Sequence, residues 1–215
     1  MNNLKRFSLS ALKLDKNHPE IFAVTSGKGG VGKSNISVNL ALLMSRMKKN
    51  VLVIDADIHL GNVDLLMGIR PKYSIADVIT GKIELKDVIT RGPGGIDILP
   101  AGSAVIEMLD LKEKVLQKLD DAFSQFEHKY DTIIVDTGAG VHHSVMSFVF
   151  GADKIILIVT PDPASIADSY GMVKVIRNTN PDIPINMISN IYHLWCIFKV
   201  DLFGSVLNPF SIKKI

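Results

Sequence analysis

The sequence predicts an α/β fold, a doubly wound, mostly parallel sheet with helices on both faces. Three observations carry that expectation. Short apolar, β-prone runs alternate with amphipathic segments along the chain, the pattern of a parallel sheet covered on both sides. The run Gly27-Lys28-Gly29-Gly30-Val31-Gly32-Lys33-Ser34 has the spacing G-x-x-x-x-G-K-[ST], a phosphate-binding loop between a strand and a helix. Four loop segments carrying Asp, Gly or Ser follow predicted strand ends, the edge where such sheets bind ligands.

The elements follow in order. Ile21-Phe22-Ala23-Val24-Thr25 reads as the strand entering the loop. Ile36, Leu40, Leu43, Met44 and Met47 recur on one face of the helix that leaves it. That helix aims its free N-terminal amides and its dipole at the bound phosphates. Residues 50–57 (NVLVIDAD) form a buried strand that ends in two carboxylates, and 74–90 read as short helices around Gly81. Residues 96–100 are a third strand, 111–127 a charged amphipathic helix, and 131–136 (DTIIVD) a fourth strand. Residues 154–160 make a fifth and 183–188 a sixth. The phosphate loop and segments 55–62, 136–140 and 160–165 are therefore expected to meet at one site. No repeat, linker or low-complexity tract interrupts the chain. Three parts are expected: an N-terminal extension (1–20), the sheet domain (21–188) and a tail (189–215).

Composition narrows the class. A chain of 215 residues suffices for one domain with a substantial core. A net charge of +2 argues against whole-molecule attraction to nucleic acid. No stretch reaches the roughly 20 apolar residues of a membrane span. Met1-Asn2-Asn3-Leu4-Lys5-Arg6 leads into no signal-peptide core, so a cytoplasmic protein is expected. The single cysteine, Cys196, allows no intrachain disulfide and fits a reducing compartment.

The loop glycines let backbone N–H groups close around a polyphosphate, Lys33 reaches the β- and γ-phosphates, and Ser34 ligates Mg2+. Lys28 taken alone reads as a solvated loop charge, the commoner fate of a lysine. Asp55 and Asp57 close an apolar strand. Aspartates often end strands at the surface, but hydrolysis beside a phosphate loop needs a carboxylate to orient water. Asp136-Thr137-Gly138-Ala139-Gly140 ends the fourth strand in the same way. His59 reads as a solvated loop residue, and His142 and His143 as polar residues at a helix start, since a helical metal pair wants i,i+4 spacing. No N-K-x-D guanine signature occurs, which favours ATP over GTP.

With its second lysine, Lys28, the loop resembles the deviant loop of the MinD/ParA class of ATPases, which are SIMIBI-type P-loop NTPases. The resemblance runs from about residue 21 to 188. It implies that Gly27, Lys28, Gly29, Gly30, Val31, Gly32, Lys33, Ser34 and Asn35 hold the nucleotide. Lys28 is implied to reach the nucleotide of a second subunit, so Lys28, Lys33 and Asp57 are the expected catalytic set. Asp57 takes the water-orienting role, while Ser34, Asp55 and Asp136 are the implied Mg2+ site. Gly140 is implied to sense the γ-phosphate through its amide, and Asn186, in Pro184-Ile185-Asn186-Met187, aligns with an adenine-binding asparagine. One cysteine sets aside the cluster-bearing iron proteins of this class. A single loop sets aside the two-loop arsenite-pump ATPases. Scattered tyrosines (Tyr73, Tyr130, Tyr170, Tyr192) set aside the bacterial tyrosine kinases.

Within the class, Gly32-Lys33-Ser34-Asn35, Asp136-Thr137-Gly138-Ala139-Gly140 and Thr160-Pro161-Asp162-Pro163-Ala164-Ser165-Ile166-Ala167-Asp168 are similar to the flagellar-number regulators FlhG, FleN and YlxH. That similarity implies a slow, Mg2+-dependent ATPase that forms a homodimer with ATP. It also implies peripheral association with the inner face of the membrane and a flagellar GTPase or transcriptional activator as partner. The alternatives are a ParA-like partition ATPase that binds DNA, and an inactive truncated remnant. The activator element D-Q-A-x-x-L-R of many flagellar members is not in the first twenty residues. After Ser189 the chain departs from the pattern, gathering Trp195, Cys196, Phe198, Phe203 and Phe210. A frameshifted or truncated gene product is the expectation there. The rival reading is an interfacial membrane helix, because Ile191, Leu194, Trp195, Phe198 and Leu202 recur at helical spacing.

Overall fold

The computed structural model describes residues 18–57, 61–74, 77–78, 82–100, 129–191, 194–200 and 206–210. Among the described residues nine strands form one sheet: β1 (Glu20–Ser26), β2 (Val51–Ala56), β3 (Thr90–Arg91), β4 (Asp97–Pro100), β5 (Thr132–Ala139), β6 (Lys154–Val159), β7 (Ile185–Ile191), β8 (Leu194–Val200) and β9 (Val206–Phe210). Their spatial order is β3-β4-β2-β5-β1-β6-β7-β8-β9. The run from β4 to β7 is parallel throughout, and its six members are the six strands expected from the sequence. Antiparallel β3 closes one edge, and antiparallel β8 and β9 extend the other.

Helices cover both faces. Along β1, Ile21 and Ala23 enter one core with Val145, Met146 and Phe148 of α4 (His143–Gly151) and Met172 and Ile176 of α5 (Pro163–Thr179). Leu85 and Val88 of the short α3 (Leu85–Val88) join the same core. Phe22 and Val24 face the opposite core with Ile36, Val38 and Ala41 of α1 (Lys33–Arg46) and Val63 and Met67 of α2 (Val63–Met67). Successive strand side chains point to opposite faces, so a strand covered on both sides is apolar along its whole length. This is why residues 21–25 and 51–54 read as unbroken apolar runs.

Three expectations change. The buried face of α1 consists of Lys33, Ile36, Ser37, Val38 and Ala41, while Leu43 and Met47 are 54% and 65% exposed. Positions 33, 37 and 41, four apart, lie on the side of the helix that faces the sheet, which leaves Leu43 and Met47 off that side. β7 continues three residues past the expected end at 188. Ser189 and Asn190 look like turn residues in sequence, yet β7 is paired with β8 from Ile185↔Val200 to Ile191↔Leu194. The third change is the tail: residues 194–200 form a strand, not an interfacial helix. Their composition, Leu-Trp-Cys-Ile-Phe-Lys-Val, is rich in β-branched and aromatic residues. The open edge of β7 supplies the ladder of hydrogen bonds that a helix would forgo.

The segment 74–90 contains α3, with helical residues at 77–78, while Gly81 lies outside the described residues, as do the expected helix at 111–127 and His59. Among the described residues, no helix is long and apolar enough to cross a membrane.

Candidate functional site

The loop after β1 is built on close approach. A Cβ on Gly27 would stand 2.4 Å from the carbonyl carbon of Asp168 in α5, so no other residue fits without displacing that helix. Gly30 and Gly32 have φ of 75° and 91°, the left-handed region that favours glycine. They turn the chain into α1, which begins at Lys33. The Ser26 hydroxyl donates to the Lys28 carbonyl at 2.6 Å, and Asn190 Nδ2 donates to the Val31 carbonyl at 2.8 Å. Side chains from β1 and β7 thus pin the loop from both ends.

Beside it lies a cavity of about 640 Å³ lined by Gly29, Gly30, Gly32, Lys33, Ser34 and Asn35. Asp57, Asn62, Leu65, Leu66, Ala139 and His142 complete its wall. The size suits a small organic ligand. Lys33 is buried, which pushes its pKa down, while the carboxylates of Asp136 and then Asp57 pull it back up. A buried ammonium beside open space is poised to take phosphate oxygens as its counter-charge.

Asp136 and Asp55 are register partners on β5 and β2. Asp136 is fully buried, and the Ser37 hydroxyl donates to its Oδ1 at 2.9 Å. Burial raises its pKa to about 6, against the Ser34 and Ser37 hydroxyls and the Lys33 charge, which lower it. Its other oxygen, Oδ2, is buried with no hydrogen-bond partner among the described residues. An orphaned carboxylate oxygen costs free energy unless a donor or a cation satisfies it. With the Ser34 hydroxyl against the same carboxylate, the residues fit a Mg2+ ion. Such an ion is usually held by one or two carboxylates together with phosphate oxygens and water. Among the described residues no three His, Cys, Asp or Glu side chains form a metal cage by themselves.

Asp55 is placed differently. Its Oδ1 accepts from the Asp57 amide and its Oδ2 from the Val63 amide, both at 3.2 Å. Burial raises its pKa to about 7, with the Asp136 charge adding to the rise and the two amides opposing it. Gly138 of β5 approaches Asp57, a Cβ there standing 3.7 Å from Asp57 Oδ1.

The structure therefore brings together the loop 27–35, Asp55, Asp57 and Asp136. Two sequence expectations land elsewhere. Asn186 is the second residue of β7, level with Ile156 and hence with Val24 in the sheet interior. Asn190, four residues later, is the asparagine at the ligand edge, because β7 runs further than the pattern indicated. Gly140 lies next to the site with φ 86°, but its amide donates to the Ser26 carbonyl at 2.9 Å rather than into the cavity. Lys28 is not among the residues lining the cavity; its ammonium meets Asp162 Oδ1 at 2.9 Å. Asp162 also caps α5, accepting from the Ser165 amide at 3.0 Å and from the Thr160 hydroxyl. The Thr160 hydroxyl, the Ser165 amide and Lys28, in that order, hold its carboxyl well below the usual range. His142 stands at the N-terminal boundary of α4, with His143 as its first residue, as expected of helix-start polar residues.

Sequence reading missed Ser37, Asp162 and Asn190. Ser34 and Ser37 stand at i,i+3, one face of a helix, and that spacing was available as a signal. Asp162-Pro163 with Ser165 has the form of an N-cap followed by a first-turn proline. Asn190 had no such signal.

Comparison with known proteins shows the family. Residues 19–186 match the family described as an AAA domain. The antiactivator FleN of Pseudomonas aeruginosa is 43% identical over 177 residues, covering 82% of this chain and 63% of FleN. The flagellum site-determining protein YlxH of Helicobacter pylori is 34% identical over 169 residues, covering 75% of this chain and 55% of YlxH. The chain thus spans less than two thirds of the length of either relative. Among solved structures, the septum site-determining protein MinD of Pyrococcus horikoshii, complexed with Mg-ADP, superposes with a TM-score of 0.65 at 26% identity. That match covers 81% of this chain and 71% of MinD. The chain belongs to the AAA-domain family and, within it, to the MinD/ParA class of P-loop ATPases, alongside FleN and YlxH.

Proposed function

We propose that this chain is a Mg2+-dependent ATP-hydrolysing switch that dimerises with ATP and helps to set the number or position of flagella. The observation that supports the ATPase reading is the convergence of Lys33, Ser34 and Asp57 on one cavity, with the orphaned Asp136 oxygen buried behind Ser34. In this reading the loop amides and Lys33 hold the β- and γ-phosphates, Ser34 and Asp136 hold Mg2+, and Asp57 orients the attacking water. Bound Mg2+ supplies positive charge that offsets the charge developing on the transferred phosphoryl group. Asn190 takes the place expected of Asn186 at the nucleotide edge. The flagellar assignment is supported by the likeness to YlxH, a flagellum site-determining protein, and to the antiactivator FleN. By the same likeness we propose a transcriptional activator or a flagellar GTPase as partner, with the cytoplasm and the inner membrane face as the place of action.

Calorimetric titration with ATP in the presence of Mg2+ tests the first half. Wild type is expected to bind, and Lys33→Ala to lose binding, because the main cation facing the phosphates is gone. Equal affinity of the two proteins defeats the assignment. Counting flagella on a P. aeruginosa strain lacking FleN, with and without this chain, tests the second half. Restoration of the parental count is expected, and an unchanged count rejects the flagellar role.

A further inference from the structure

Both oxygens of Asp55 are committed to backbone amides, and those amides belong to two different places in the chain. Oδ1 takes the N–H of Asp57, just past the end of β2, and Oδ2 takes the N–H of Val63, the first residue of α2. The Val63 amide is a helix-terminal donor that α2 cannot satisfy internally. The helix boundary residue, Asn62, provides no side-chain cap, so Asp55 supplies the acceptor from eight residues upstream. Gly61 packs against the same carboxylate, and a Cβ there would stand 3.0 Å from Oδ2. Asp136, across the ladder, has the opposite arrangement: Ser37 occupies one oxygen and the other has no partner.

We propose that Asp55 acts as a positioning residue rather than a Mg2+ ligand, clasping the amides of Asp57 and Val63 so that Asp57 is held toward the cavity. This rests on the ATPase reading for the use of Asp57, but the clasp itself is a property of the chain without nucleotide. The chemistry explains the choice of residue. A carboxylate is acceptor-only at both oxygens, whereas an asparagine amide turns one acceptor into a donor and would set it against a backbone N–H. Burial of the carboxylate makes each lost amide partner costly.

The test compares Asp55→Asn and Asp136→Asn with wild type by three readouts on the full chain. These are amide hydrogen exchange without nucleotide, Mg2+ dependence of binding to the fluorescent analogue mant-ATP, and single-turnover ATP hydrolysis. Asp55→Asn is expected to speed exchange at Asp57 and Val63 and to slow hydrolysis by about tenfold or more, the usual scale for a misplaced catalytic group. Its Mg2+ midpoint should move less than about threefold, a field effect only, while Asp136→Asn should move it about tenfold or more. A Mg2+ shift in Asp55→Asn as large as that of Asp136→Asn overturns the proposal in favour of metal ligation. Unchanged exchange at Asp57 and Val63 overturns the clasp. If wild type binds no mant-ATP, the ATPase reading fails while the exchange comparison still decides the clasp. Should Asp55→Asn not fold, Gly61→Ala, which crowds Oδ2, must speed the same two amides and slow hydrolysis with the Mg2+ midpoint in place. Gly61→Ala with wild-type exchange and rate also counts against the proposal.

Discussion

Asp57 and Asp136 share one edge of the sheet, and their surroundings give them different tasks. Asp136 is fully buried, with the Ser37 hydroxyl on one oxygen and none on the other. Asp57 lines the cavity and can meet a water there. Asp57→Ala is therefore expected to bind ATP with wild-type affinity while hydrolysis falls by roughly a hundredfold or more. Separate binding and turnover assays measure the two effects, and normal turnover would move the water-orienting role to another carboxylate. At this scale the loop 27–34 and Asp57 and Asp136 were legible from spacing and chemistry. Asn190 was not, because a strand's end decides which asparagine reaches the phosphate loop. That end depended on pairing with β8.

Among the elements, α5 ties the loop to the rest of the sheet. Its backbone leaves room only for a glycine at 27, and its cap Asp162 takes the ammonium of Lys28. The ion pair is 44% exposed on the lysine side and 40% on the aspartate side, so solvent screening makes it cheap to exchange for another anion. In the proposed dimer Lys28 would leave Asp162 for the phosphates of a second subunit, as the family resemblance implies. Each subunit of a two-fold dimer would then supply one lysine to the other. Lys28→Ala should bind ATP as a monomer and fail to dimerise or hydrolyse. Light scattering with ATP on an Asp57→Ala background is the measurement. Dimers that form equally well without Lys28 would leave that residue as a partner of Asp162 alone.

For the molecule as a whole, folding gathers carboxylates that repel one another at the ligand edge. The pKa of Asp136 is raised to about 6, with burial as the main cause. The folded state therefore holds a proton that the unfolded chain gives up near pH 4. Stability falls as pH rises between those values, and the penalty is fully present above about 6. Asp136→Asn mimics the protonated form, so without Mg2+ it should melt above wild type at pH 7.5, with the gap closing below about pH 4. Thermal melts across that range measure it, and a variant that melts below wild type at pH 7.5 contradicts the prediction. The sequence by itself determined the parallel α/β architecture, because strands buried on both faces must be apolar runs joined by amphipathic helices. It also determined the phosphate loop, because close backbone approach and left-handed turns demand glycine at set spacings. Only the tertiary structure decided that residues 194–200 form a strand, that Leu43 and Met47 face outward, and that Asp55 spends both oxygens on amides. Each of those depends on a partner distant in sequence or on the depth of packing against the sheet, and local periodicity contains neither.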